Sequence, residues 1–303
     1  MNSRVSLLPL LIILAAGYSM GQELEPRAFW ISPVKANAAT FSYAYSRGDF
    51  AADPSLPIEG VESKVNSLQA GYYHSLSFFG RSANLTLTLP YMWGPTWGSI
   101  AGEFKKVYSS GLGDPRLRFS VNLLGAPAMK APEFQKFRRT HGTVLGLAVR
   151  VQFPLGQYDP SRVVNLGSNR WGFKPQLGLI HPIKPDWLIE LSLGAWFVTE
   201  NKDFVGAVRQ QDPLLDGEFH LVYRIDLGFW ASFDATYYWG GRTTVNGEEQ
   251  FDLQRNVNAG GTIAIPVRRG HSIKFTANKG LSVDFGGDRT IFAVAYQYTW
   301  LGN

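Results

Sequence analysis

The chain has 303 residues, 45% hydrophobic, 14% aromatic and 17% charged, with a formal net charge of +5 and no cysteine. The length suits one large domain or two small ones. A mean hydropathy of −0.09 excludes a helical membrane bundle, and the missing thiols exclude disulfides, thiol chemistry and cysteine-type zinc sites. Met1 to Arg4 reads as a basic n-region, Val5 to Gly17 as an apolar run carrying Pro9, and Ser19-Met20-Gly21 as a small-residue cleavage site. Residues 1–21 are therefore expected to be a signal peptide cut before Gln22. The apolar run is too short to span a bilayer, which takes about 20 helical residues. Removing it takes away one Arg and no acid, leaving +4. A basic chain could bind nucleic acid, but an exported one rarely meets any, so no nucleic-acid partner is expected.

Residues 22–37, with Pro26 and Pro33, read as a periplasmic or plug segment that lies inside a lumen or at its periplasmic mouth. After residue 38 the period is 2 nearly everywhere. Phe41, Tyr43 and Tyr45 alternate with Ser42 and Ala44, and Leu85, Leu87, Leu89 and Tyr91 with Asn84, Thr86 and Thr88. The same alternation recurs in the segments beginning near Leu68, Leu117, Leu145, Trp171, Trp187, Leu215, Leu227, Val257, Ile273 and Phe292. This predicts about 12 strands of roughly 8 to 14 residues, against about 5 to 6 for soluble strands and 9 to 11 for tilted membrane strands.

Connections alternate in length. Residues 47–64, 94–112, 155–169, 199–213 and 241–253 are long, and 280–289 is of medium length. Gly80–Ser82, Pro182–Asp186, Ile225-Asp226 and Arg268–Gly270 are short. Long outside loops and short periplasmic turns are the pattern of outer-membrane barrels. One connection breaks it: Gly125–Thr140 is long and basic, through Lys130, Lys136, Arg138 and Arg139, and is expected to hold a short periplasmic helix or to betray a miscounted hairpin. The fold expected is all-β, a closed antiparallel transmembrane β-barrel over residues 38–303. In lipid, each unpaired backbone group costs several kcal/mol, so only a closed sheet suffices. A soluble sandwich or lipocalin-like barrel also alternates; strand length, the export signal and the aromatics near strand ends argue against it. Trp93, Trp97, Trp171, Trp187, Trp239 and Trp300 are the expected interfacial girdle.

Candidate functional residues are the polar-face charges. Arg116, Arg118, Arg150, Arg170, Lys174, Arg224 and Lys274, with Glu190, Asp216, Glu218, His220 and Asp234, are expected to line the lumen. They either pair across strands and fill the interior or select solutes in a water-filled passage. Eight strands leave a filled interior and 16 to 18 an open channel, so about 12 imply a narrow pore. No two of His74, His141, His181, His220 and His271 have metal-ligand spacing, and no cofactor is implied. A hydrolase would have to use a lumen histidine. Glu218 and Asp216, at alternate positions of one strand with His220, are expected to be too far for direct hydrogen bonds, at about 7 Å per two residues.

The stretch 111–182 also carries a resemblance. Gly111-Leu112-Gly113-Asp114, then Val151-Gln152-Phe153-Pro154-Leu155-Gly156-Gln157-Tyr158-Asp159, then Asn165-Leu166-Gly167-Ser168-Asn169-Arg170-Trp171 and Phe173-Lys174-Pro175-Gln176 resemble the "MetA-pathway of phenol degradation" family of outer-membrane barrels. Members commonly have Thr where this chain has Leu155. The family implies a transporter or channel, often encoded near genes for degrading aromatic compounds, and no agreed functional residues. The expectation is passive uptake of small solutes, hydrophobic or aromatic ones among them, across the outer membrane. Outer-membrane lipid and, during insertion, the barrel assembly machinery would be its partners. The alternatives are a non-conducting structural or surface-binding barrel and, third, an outer-membrane hydrolase.

Overall fold

A computed structural model describes residues 25–50, 58–138, 142–162, 165–226 and 228–302. The expected signal peptide at 1–21, together with Arg139 and His141, lies outside the described residues.

In chain order the elements are β1 (Ala36–Phe50), β2 (Ile58–Phe78), β3 (Arg81–Ile100), β4 (Glu103–Leu112), β5 (Arg116–Leu124), α1 (Ala131–Phe137), β6 (Val144–Gln152), β7 (Gly172–Lys184) and β8 (Trp187–Val198). There follow β9 (Asn201–Phe204), β10 (Ala207–Gln211), β11 (Leu214–Asp226), β12 (Phe229–Gly240), β13 (Thr243–Val245), β14 (Glu248–Glu249), β15 (Gln254–Arg268), β16 (His271–Val283) and β17 (Gly287–Leu301). Twelve of these, β1–β3, β5–β8, β11, β12 and β15–β17, close an antiparallel barrel. Closure is made by β1 on β17, in unbroken register from Ala36 opposite Leu301 to Phe50 opposite Gly287. The barrel leaves no free edge, so every strand satisfies its backbone groups.

The start of β1 and the end of β17 sit at one rim with the short turns, here called the turn end. The Phe79-Gly80 turn joins β2 to β3 in two residues, both at positive φ, 47° and 74°. This is the two-residue geometry that matches the twist of a hairpin. The long connection at this rim holds α1, as one of the two sequence expectations had it.

The opposite, loop end departs from expectation. Residues 94–112 are no loop: β3 runs on to Ile100 and returns as β4, turning at Ala101-Gly102 with φ of 48° and 85°. The strand runs through Gly94, Pro95 and Gly98 because it pairs with β2 on one side and β4 on the other. The 199–213 and 241–253 connections fold together into a small sheet, β9–β10–β13–β14. The connection at 280–289 shrinks to the few residues between β16 and β17. Barrel strands accordingly reach 21 residues in β2 and 20 in β3, longer than expected.

Burial fixes inside and outside. Along β7, Phe173, Pro175, Leu177 and His181 are exposed and Leu179 half-buried, while Gly172, Lys174, Gln176, Gly178 and Ile180 are buried. Large apolar side chains crowd the outer surface, among them Phe41 at 63%, Leu193 at 65% and Phe233 at 54% exposure. In water such a continuous apolar belt would be an aggregation surface; in a bilayer it is the solvated face. The apolar core lies instead within the barrel at the turn end, where Phe29 and Ile31 pack with Ala126, Met129, Val144, Ile180, Leu188, Val222 and Trp230.

Candidate functional site

The N-terminal segment enters the barrel before β1 begins. Its tail is tied to the rim by backbone bonds from Val34 to the Met129 carbonyl (2.8 Å) and from Lys35 to the Ser75 carbonyl (2.9 Å). Its head meets the inward charges. Glu25 forms an ion pair with Arg150. The Arg27 amide donates to Glu190 at 2.6 Å, and the Arg27 guanidinium lies 3.7 Å from the Trp30 ring centre and 5.2 Å from that of Trp230. Arg118 donates to the Ala28 carbonyl at 3.0 Å and sits 4.7 Å from the Phe29 ring. Phe29 fits because β6 and β7 carry Gly146 and Gly178 on the inward face; a side chain at either position would overlap its ring. The sequence offers this only as two glycines interrupting the strand pattern and an aperiodic aromatic segment.

Beyond the plug a charged ladder crosses the barrel wall. Lys174 on β7 contacts Asp216 (2.6 Å) and Glu218 (3.4 Å) on β11. Gln176 bridges Ser192 (3.1 Å) and Glu218 (3.3 Å). His220 reaches Glu218 through Nε2 at 3.4 Å and Asp234 through Nδ1 at 2.8 Å, and Thr262 donates to Asp234 at 2.8 Å. The same-strand His–Glu contact was expected to be too long. Glu218 bridges it because its longer side chain leans along the strand. Both imidazole nitrogens face carboxylates.

Arg118, Arg150, Arg170, Lys174, Glu190, Asp216, Glu218, His220 and Asp234 are all buried on the inward face. Arg116 is half-buried and donates to Gln152 at 3.1 Å. Arg170 lies nearer the loop end and donates to Gln211 at 3.0 Å. Arg224 stands at the turn-end rim, where it holds the Arg138 carbonyl at 3.3 Å and the Pro185 carbonyl. Lys274 is half-buried, with the Glu25 and Asp234 carboxylates acting on it electrostatically.

Of the tryptophans singled out from sequence, Trp187 packs on Tyr223 (4.8 Å) and Trp300 on Tyr298 (5.4 Å) towards the turn end. Trp171 packs on Phe153 and Phe173 and Trp93 on Tyr43 and Tyr91 nearer the loop end, where Trp239 is exposed near the end of β12. Trp97 rises with the β3–β4 hairpin and faces the Lys64 ammonium at 5.7 Å. Trp30, Trp196 and Trp230, not singled out, lie in the segment or turn inward.

Several of the residues that carried the family resemblance gather around Asp114, while Arg170, Lys174 and Gln176 bond elsewhere in the interior. Asp114 accepts bonds from the Gly156 amide (2.9 Å), the Ser168 amide (2.8 Å), the Ser168 hydroxyl (2.6 Å) and Gln152 (3.2 Å). Gly156 and Gly167 cross so closely that a side chain on either would strike the other's backbone. In the same loop, bonds from the Ser161 hydroxyl and amide hold the Asp159 carboxyl below the usual carboxylate range. The motif is thus a staple that folds the 155–169 loop over the barrel, with no reactive group at its centre.

Fold and interior together define the outer-membrane β-barrel class, with a lumen holding its own N-terminal segment. More particularly, the chain belongs to the family described as "Putative MetA-pathway of phenol degradation", whose model matches residues 45–300. The COG4313 outer membrane channel from Pseudomonas putida F1 superposes with a TM-score of 0.76 at 21% identity, over 92% of this chain and 100% of that one. The β domain of the Bordetella autotransporter BrkA superposes with a TM-score of 0.53 at 14% identity, over 88% of this chain and 100% of that one. No curated protein matches it in sequence.

Proposed function

We propose that this chain is an outer-membrane channel for passive passage of small solutes, hydrophobic or aromatic compounds among them. The observation that carries the proposal is the inversion of polarity across the wall: apolar side chains outside, and ionised and hydrogen-bonding side chains inside from Arg118 to Asp234. Charged groups inside a membrane protein are costly unless paired or wet, and they mark solute pathways. The likeness to a protein titled an outer membrane channel and the family's phenol-degradation description lend the solute class its support. In this reading the turn end is periplasmic, and the six tryptophans from Trp93 to Trp300 serve as interfacial anchors. Assembly machinery would insert the barrel from the periplasm. Purified protein in a planar bilayer should show discrete conductance steps. Their absence under every condition tested would end the channel reading.

One observation favours a second reading, a closed structural or surface-binding barrel. The N-terminal segment is packed in the turn-end core and bonded to Arg118, Arg150 and Glu190. Substitutions that loosen it discriminate: a closed barrel stays silent, whereas a plugged channel gains conductance.

A further inference from the structure

The inward wall is unequal around the barrel. From β5 to β12 it bears long charged and aromatic side chains, and most of its small residues are sealed, Ser120 at 1% and Ser192 at 7% exposure, with Gly194 and Ser232 half-buried. From β16 through β17 and β1 to β3 the inward residues are short and mostly uncharged. Thr276, Ala293, Thr40 and Ser42 are all half-buried, so water reaches them. The register sets them side by side: Thr276 is opposite Ala293, which is opposite the half-buried Ala44, whereas Ala295, opposite Ser42, is buried.

The N-terminal segment covers only part of the turn end. Val144, Ile180 and Leu188 are sealed beneath it, whereas Gln297, opposite the inward Thr40, is exposed. Lys274 stands at the edge of this sector, flanked in register by the buried Ala264 and Ala295, with the Glu25 and Asp234 carboxylates acting on its ammonium from beyond ion-pair distance. At the loop end the sector narrows where Arg289 donates to Ser63 at 3.1 Å.

We propose that solute moves off the barrel axis, along a passage on the β16–β17–β1–β2–β3 wall from Gln297 past Lys274 to the Arg289–Ser63 contact. The methyl and hydroxyl groups with a single ammonium suit a small organic anion. The charged ladder is the scaffold that shapes the passage from the other side. This inference rests on the channel reading but places the path where that reading alone does not.

The absence of cysteine makes the test direct. Single variants Ser42→Cys, Thr276→Cys and Ala293→Cys are compared with Ser120→Cys and Ser192→Cys in lipid vesicles, using a sulfonated methanethiosulfonate reagent. The first three should react at least about tenfold faster, since thiol reactivity follows access, and their modification should block conductance. Lys274→Gln should lower the anion-to-cation permeability ratio by about twofold or more. Equal rates on both walls, or rapid reaction only at Ser120→Cys and Ser192→Cys, would overturn the off-axis path. The rates are read with or without current, so a silent wild-type protein that shows the labelling contrast overturns the channel reading and upholds the off-axis water-filled cavity.

Discussion

Asp114 and Ser168, 54 residues apart in the chain, are joined by two hydrogen bonds to one carboxylate oxygen, 2.8 Å from the Ser168 amide and 2.6 Å from its hydroxyl. These bonds tie the β4–β5 connection to the chain that leads into β7 and give the motif a structural role. Bonds to a charged acceptor contribute about 1.5–3 kcal/mol each.

Asp114→Ala should therefore free the 155–169 loop while sparing the barrel. Limited proteolysis of the protein in vesicles should cut near Arg162 in the variant and not in the wild type. Asp114→Asn keeps the acceptor oxygen and should show intermediate protection. Unchanged protection in Asp114→Ala would contradict the role assigned to the staple.

Asp234 bears both His220 and Thr262. Removing one member of a buried pair leaves the other uncompensated, at a cost of about 3–5 kcal/mol. Asp234→Ala should unfold from micelles at markedly lower urea concentration than the wild type. The double variant Asp234→Ala with His220→Ala should recover part of the loss, because the imidazole left with only its Glu218 partner is gone. Additive losses would show that the two residues act independently.

Phe29 is held by ring contacts in a cradle of two glycines, and a core Phe→Ala change costs about 3–5 kcal/mol. That loss falls on the docking of the segment rather than on the strands, which keep their pairing. Single-channel recordings of Phe29→Ala should show larger or more frequent openings than the wild type. Gly178→Leu, which puts a side chain where the ring lies, should do the same by a different route. Identical traces from all three proteins would rule out gating by the segment.

Brominated lipids quench tryptophans at their own depth, which separates the two sets found here. With the other tryptophans replaced by Phe, Trp187, Trp171 and Trp239, at least a third exposed on the outer face, should be quenched by bromines near the headgroups. Trp196, buried on the inward face, should not. Strong quenching of Trp196 would reverse the assignment of inside and outside.

The twelve barrel strands were legible because a strand places successive side chains on opposite faces, and that period survives in the sequence whatever the strand packs against. The upper half of β3 was not legible. Gly94 and Pro95 obey local turn statistics, and pairing with β2 and β4 on either side outweighs them. The charged set was legible as one face, from Arg116 to Lys274. Its contacts were not, since His220 finds Asp234 through a register between strands that no single strand encodes.

What the sequence by itself determined is the alternation, the long and short connections and the residues of the family motif. What only the tertiary structure decided is which face of the alternation points inward, and that Glu25, Arg27 and Phe29 occupy part of the space enclosed. The physical reason is that a period of 2 is symmetric between inside and outside. Closing the sheet breaks that symmetry, by leaving apolar groups on the outer surface and giving the charges partners across the interior.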